Sequence, residues 1–292
     1  MTENSQDLLG KVYVVTGANS GIGFAAAHNF ASRGATLVLV CRNEARGSKA
    51  LEAIRAATGN DKLALYVAEF SSLADVNRLS LEILADYPKI DVLCNNAGGA
   101  NASRVETAEG FEATFATNHL SGFLLVTRLL PALIKAGQTD KARIVFTSSK
   151  GHTFSPIDFD DLNLKRGYNT LKAYGRSKLM NLLTARELQR RYGKLNIVAS
   201  SFHPGTVRTA IWSKGGILAK LAGILMYPFM VDESKGSDTF IWLASSDDTA
   251  SVNADGQYFY KRRQAKVAVF ATDAAAKKLW QVSAEIIERT LK

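Results

Sequence analysis

Cysteine is nearly missing from these 292 residues: only Cys41 and Cys94 occur. Both sit in apolar, strand-like runs without metal-ligand spacing, so a disulfide framework and a thiolate metal site are excluded and buried free thiols are expected. Proline is scarce too, at five residues, and no Pro/Ser-rich linker, low-complexity segment or internal repeat breaks the chain. Residues 1–292 therefore read as one domain. There is no run of 18 or more apolar residues, and the short polar stretch Met1 to Gly10 has no signal-peptide pattern. No transmembrane segment is expected, and the chain reads as cytoplasmic or peripheral to a membrane. The four histidines (His28, His119, His152, His203) lack His-x-x-x-His spacing, so no metal is expected. No Gly-x-Ser-x-Gly elbow occurs, which argues against an α/β-hydrolase. The formal charge is +9, but basic residues are scattered, with short clusters such as Lys261-Arg262-Arg263 and no nucleic-acid motif. That pattern describes a solvated basic surface.

What is present is a regular alternation. Strand patterns lie at Val12–Thr16, Thr36–Val40, Leu63–Ala68, Val92–Cys94, Arg143–Thr147, Asn196–Phe202 and Gln257–Tyr260, and several are near-continuous apolar runs, as strands buried on both faces are. Helical patterns separate them at Gly21–Arg33, Glu44–Ala57, Leu73–Tyr87, Phe111–Lys135, Leu171–Tyr192, Glu233–Ala244 and Ala274–Leu291. The expected fold is α/β: a Rossmann-type, doubly wound parallel sheet of about seven strands, with ligands outside the carboxyl ends of the strands.

The motifs fall at those ends. The first strand runs into Thr16-Gly17-Ala18-Asn19-Ser20-Gly21-Ile22-Gly23. Glycines there allow a tight turn close to a pyrophosphate, and a helix start offers free N–H groups and a favourable dipole. The spacing is Gly-x-x-x-Gly-x-Gly rather than the commoner Gly-x-Gly-x-x-Gly. The second strand ends in Cys41-Arg42, with no acid for a ribose 2′-hydroxyl and a cation suited to a 2′-phosphate; Arg46 is a second candidate. Asn95-Asn96-Ala97-Gly98 closes the fourth strand, where small residues let backbone approach a ribose. Ser148 and Ser149 end the fifth, placed to hydrogen-bond a carbonyl.

Tyr174 and Lys178 stand at i and i+4 on one helix face. A phenol titrates near 10, and a nearby ammonium draws it towards acid–base range. Tyr168 and Lys172 share the spacing but lie in a Gly/Asn-containing loop, so Tyr174 is the better candidate.

Together, in this order, these motifs resemble the short-chain dehydrogenase/reductase family from Lys11 to about Leu291: the glycine turn, Asn95–Gly98, Ser149, Tyr174-x-x-x-Lys178 and Pro204-Gly205-x-Val207-x-Thr209. The resemblance implies that Tyr174 is the general acid or base. Lys178 would lower the tyrosine pKa and hold the nicotinamide ribose, and Ser149 would orient the substrate carbonyl. Asn118 would carry a proton-relay water. The cofactor-contacting set it implies comprises Gly17, Asn19, Ser20, Gly21, Ile22, Gly23, Arg42, Glu69, Phe70, Asn95, Ala97, Gly98, Tyr174, Lys178, Pro204, Gly205, Val207 and Thr209. Glu69 stands where the family usually has aspartate. The 25 residues from Ser149 to Tyr174 are about twice the family's commonest gap. That lengthening, with Cys41-Arg42-Asn43, His203-Pro204-Gly205 and the tail Lys278–Ser283, resembles the retinol dehydrogenase-like branch.

These features lead to the expectation of an NADP(H)-dependent oxidoreductase interconverting a lipophilic ketone or aldehyde and its alcohol. The alternatives are an NADP-binding sensor or interaction scaffold, or a relative of protochlorophyllide reductase. The apolar stretch at about 210–232 is expected to form a substrate lid, with weak membrane-surface contact as a further role, and the assembly to be a monomer or homodimer.

Overall fold

A computed structural model describes residues 6–205 and 232–292. Eight strands form one sheet in the order β3-β2-β1-β4-β5-β6-β7-β8. They are β1 (Val12–Thr16), β2 (Thr36–Cys41), β3 (Leu63–Val67), β4 (Val92–Asn95), β5 (Ala142–Thr147), β6 (Ile197–Phe202), β7 (Tyr258–Tyr260) and β8 (Arg263–Gln264). All neighbours are parallel except β7 and β8. The antiparallel β8 is the strand beyond the expected seven. The chain enters at β1, builds outward to β3, then crosses back to β4 on the other side of β1. This reversal opens a crevice above β1 and β4, where α/β sheets bind ligands.

Helices cover both faces: α1 (Gly21–Ser32), α2 (Glu44–Thr58), α3 (Leu73–Asp86), α4 (Ala113–Gly137), α5 (Thr170–Tyr192), α6 (Glu233–Ser245) and α7 (Asp273–Thr290). The period-two alternation of each strand supplies both layers. Val14, Val38 and Ile144 pack in the core that includes α3, α4, α5 and α7, whereas Tyr13, Val15, Leu37 and Val145 pack in the core on α1 and α6. Both cysteines are free and buried, Cys41 and Cys94 alike. By length and composition α4 is apolar enough to cross a membrane, but most of it is buried against the sheet and α3.

Two departures from regularity shape the site. In α4 the backbone widens to a π turn over Ala116–Leu120, where the Ser121 N–H reaches back to the Ala116 carbonyl. Such turns recur at functional sites, and this one contains Asn118. The second is the long connection between β5 and α5. It begins as a 3₁₀ turn at Lys150–Phe154, then lies along α5. Leu164 is buried there, and the Arg176 guanidinium donates to the Asp161 carbonyl at 2.7 Å. The extra length therefore clothes the helix that carries Tyr174.

The turn and helix meet at glycines. A Cβ on Gly175 would lie 2.5 Å from the Gly151 carbonyl oxygen and from the Ser155 hydroxyl. Helix propensity favours alanine over glycine by about 1 kcal/mol, while overpacking costs about 1–3 kcal/mol. Since one blocking atom is backbone, the clash wins. Gly175→Ala is expected to lower the melting temperature by a few degrees in thermal unfolding, at about 2–4 °C per kcal/mol. A melting point equal to or above that of the unsubstituted chain would refute this packing account.

Candidate active site

The glycine turn leaves β1 with Gly17 and Gly21 at φ 67° and 60°. Gly23 is sterically fixed, because a Cβ there would sit 2.3 Å from the Gly17 carbonyl oxygen. The first turn of α1 has no capping side chain and no acid. Its amides and the positive end of the helix dipole are thus left for an anion. The Ile22 side chain is buried in the core and Ser20 is exposed, so the turn offers mainly backbone. Beneath it, burial pushes the Cys41 thiol up to about 11, against the opposing effect of the Ala18 and Asn19 amides.

The neighbouring loop is laced to this one. Thr16 Oγ1 accepts from the Asn96 and Ala97 amides, each at 2.9 Å, and Asn96 Nδ2 donates to the Thr16 carbonyl at 2.9 Å. Asn96 Oδ1 also accepts from the Thr147 hydroxyl at 3.1 Å, so one amide side chain ties β1, β4 and β5 together. Sequence reasoning passed over Asn96; its only signal was adjacency to Asn95. Asn95 itself donates to the Gly122 carbonyl at 3.0 Å and holds α4 on the sheet. Ala97 and Gly98 form the open rim.

At the end of β2, Arg42 is largely exposed, its Nε 3.8 Å from the Glu69 carboxylate. Glu69 also accepts from the Ser71 amide at 3.0 Å. The Phe70 side chain is buried in the core, and its carbonyl accepts from Ser121 at 2.6 Å. Pro204 and Gly205 follow β6, with Gly205 at φ 87°. Val207, Thr209 and all but the last residue of the expected 210–232 lid lie outside the described residues.

Across the crevice stand the candidate catalytic groups. Ser148 and Ser149 separate clearly. The Ser148 hydroxyl is buried and donates to the Lys178 carbonyl at 2.7 Å, pinning α5. The Ser149 hydroxyl accepts from the Gly151 amide at 3.2 Å and lies beside the Tyr174 phenol, where it favours the ionised form. Lys178 Nζ lies 5.5 Å from the Tyr174 ring centre and donates to the Thr147 carbonyl at 3.1 Å. Asn118 Nδ2 donates to the Gly99 carbonyl and the Ser177 hydroxyl at 2.8 and 2.9 Å, while its Oδ1 accepts from the Gly99 amide at 2.8 Å. It locks the rim loop to α5. Tyr168 lies elsewhere, its phenol donating to the Asn101 carbonyl at 2.9 Å.

The electrostatics depart from the expectation that the ammonium draws the phenol down. Burial raises the Tyr174 pKa above that of a free phenol, and only the Ser149 hydrogen bond opposes it. Burial also pushes Lys178 down to about 8. Burial thus disfavours the charged form of both groups. His119, hydrogen-bonded to Ser283 at 2.8 Å and pushed down to about 3 by burial, belongs to the core. No group of three or more metal-ligating side chains occurs among the described residues.

Residues 11–216 match the family model for short chain dehydrogenases. A protein of Streptomyces sp. (strain C5), provisionally named daunorubicin C-13 ketoreductase, is 39% identical over 287 residues, covering 98% of this chain and 95% of its own. Human retinol dehydrogenase 14 is 36% identical over 300 residues, covering 97% of this chain and 88% of its own. Among solved structures, an uncharacterised protein from Mycobacterium paratuberculosis aligns with a TM-score of 0.77 at 28% identity, over 97% of this chain and 95% of its own. With this fold and this arrangement of motifs, the chain belongs to the short-chain dehydrogenase/reductase family of nicotinamide-dependent oxidoreductases, in its retinol dehydrogenase-like branch.

Proposed function

We propose that the protein is an NADP(H)-dependent oxidoreductase that interconverts a lipophilic ketone or aldehyde and its alcohol, with Tyr174 as general acid or base. The observation that carries this reading is the placement of Ser149 beside the Tyr174 phenol, with Lys178 Nζ 5.5 Å from the same ring, on the wall of a crevice whose far side is an uncapped helix start. The two relatives' names, a ketoreductase and a retinol dehydrogenase, supply the carbonyl and the alcohol of such a pair.

The residues fit a dinucleotide. The cradle at Gly17–Gly23 admits no side chain at Gly23 and would present the uncapped amides of the first turn of α1 to a pyrophosphate. Arg42 would read a 2′-phosphate. Its pairing with Glu69 is long and exposed, so it opposes a phosphate by about 1 kcal/mol or less. When bound, the nicotinamide supplies or accepts the hydride. The protein's share is placement and the proton. Ser149 holds the substrate oxygen against the phenol, Tyr174 gives that oxygen a proton in reduction or takes one in oxidation, and Lys178 fixes the base of the site through Thr147. Pro204 and Gly205, at the crevice end of β6, would flank the nicotinamide.

Three outcomes are expected. Arg42→Ala should weaken NADPH about 10- to 100-fold, the worth of one or two charge-assisted hydrogen bonds, and leave NADH nearly unchanged. Fluorescence titration with both cofactors measures this, and an equal loss for both would remove Arg42 as the phosphate reader. Tyr174→Phe should bind cofactor normally while turnover of a carbonyl panel falls at least about a hundredfold; retained turnover would end the assignment of Tyr174. Because burial holds the phenol protonated at neutral pH, reduction should need no alkaline shift. Alcohol oxidation should climb about tenfold per pH unit between about pH 6 and 8. Opposite slopes in the pH profiles would contradict that protonation state.

A further inference from the structure

Three residues beyond Ser149, the His152 ring is almost fully buried, at 1% exposure. Its Nδ1 lies 2.7 Å from the Ser149 carbonyl oxygen. A carbonyl can only accept, so Nδ1 carries the hydrogen and Nε2 of the neutral ring is left with a bare lone pair. That Nε2 is buried with no hydrogen-bond partner. The ring stands edge-on against Tyr258, 4.7 Å between centres, on the strand beside β6. At the carboxyl end of β6, His203 stacks on Tyr260 at 5.1 Å, and its Nδ1 is likewise buried and unpartnered. Leaving a buried acceptor unpaired costs about 1–3 kcal/mol. The His152 acceptor, in the turn beside Ser149, is thus left for a donor from outside the protein, and a second unpartnered ring nitrogen lies on His203.

We propose that His152 is a specificity-determining residue whose Nε2 accepts a hydrogen bond from a hydroxyl on the substrate, and that the preferred substrates are hydroxyketones or hydroxyaldehydes with the hydroxyl next to the carbonyl. This rests on the carbonyl–alcohol reading above. The location follows from the anchoring: the ring is fixed to the backbone of the serine that receives the carbonyl. Its unpartnered nitrogen therefore belongs to the same short turn as the Ser149 hydroxyl. The tautomer decides the chemistry: Nε2 pairs with a donor, so a hydroxyl is bound and an ether of similar size is not. His203, pushed down to about 4 by burial, is also neutral at physiological pH.

The test compares 2-hydroxyacetophenone, 2-methoxyacetophenone and acetophenone in kcat/KM, with saturating cofactor. The unsubstituted enzyme should favour the hydroxyketone over the methoxyketone at least about tenfold, since a site that loses a buried hydrogen bond discriminates strongly. In His152→Asn the side-chain amide keeps the donor to the Ser149 carbonyl but deletes the distal acceptor, and the ratio should fall to about one. His152→Gln carries an amide oxygen out to the Nε2 position and should recover part of the preference. A merely structural role would lower all three ketones together and leave the ratio intact, which overturns the proposal. A ratio near one in the unsubstituted enzyme overturns it too, while turnover of acetophenone leaves the oxidoreductase reading standing. Turnover of none of the three would bring down both readings.

Discussion

The site hangs on the seam between the carboxyl end of β5 and the helix α5. The Thr147 carbonyl receives both Lys178 Nζ and Asn181 Nδ2, at 3.1 and 3.2 Å, and the Ser148 hydroxyl returns a bond to the Lys178 carbonyl. These bonds join strand to helix in a buried, low-dielectric place, where each is stronger than in water and costly to leave unmade. Gly151 and Gly175 allow the approach that the hydrogen bonds then fix. Ser149 and Tyr174 meet because their neighbours Ser148 and Lys178 are already bound to each other.

The crevice has a second tie of the same kind. Asn96 holds Thr16 and Thr147 at once, so the glycine-rich loop after β1 and the serine-bearing end of β5 share one amide. Asn118 does for the rim loop and α5 what Asn96 does for the strands. Each half of a reaction between a hydride carrier and a carbonyl must sit within a few tenths of an ångström of the other. Backbone-anchored amides meet that demand better than long charged side chains.

Most of the sheet was legible because its strands are buried on both faces: runs such as Val12–Val15 and Ile144–Thr147 admit few other readings. Tyr174 was separable from Tyr168 because only Tyr174 leads into an apolar helical pattern. β8 escaped, since Lys261 and Arg262 turn through φ 52° and 57° without the Asn-Gly signature of a two-residue hairpin. The π turn escaped because widening one helical turn leaves the apolar periodicity nearly intact. Asn95 and Asn96 could not be told apart in sequence: which amide faces a strand and which faces a helix is decided by the pleat and its neighbours. The rise of the Tyr174 pKa and the fall of that of Lys178 were out of reach as well, because they depend on how deeply each is buried.

The long connection before α5 has a kinetic and thermodynamic meaning beyond its shape. Asp161 and Leu164 give the helix of Tyr174 its cover from within the same chain. Cover supplied by a second subunit would be governed by mass action and would thin out as the protein is diluted. Cover supplied by a tethered segment is a unimolecular matter, with an effective concentration set by the loop. The face of α5 that these residues clothe is thus supported equally well at one molecule per cell or at a thousand.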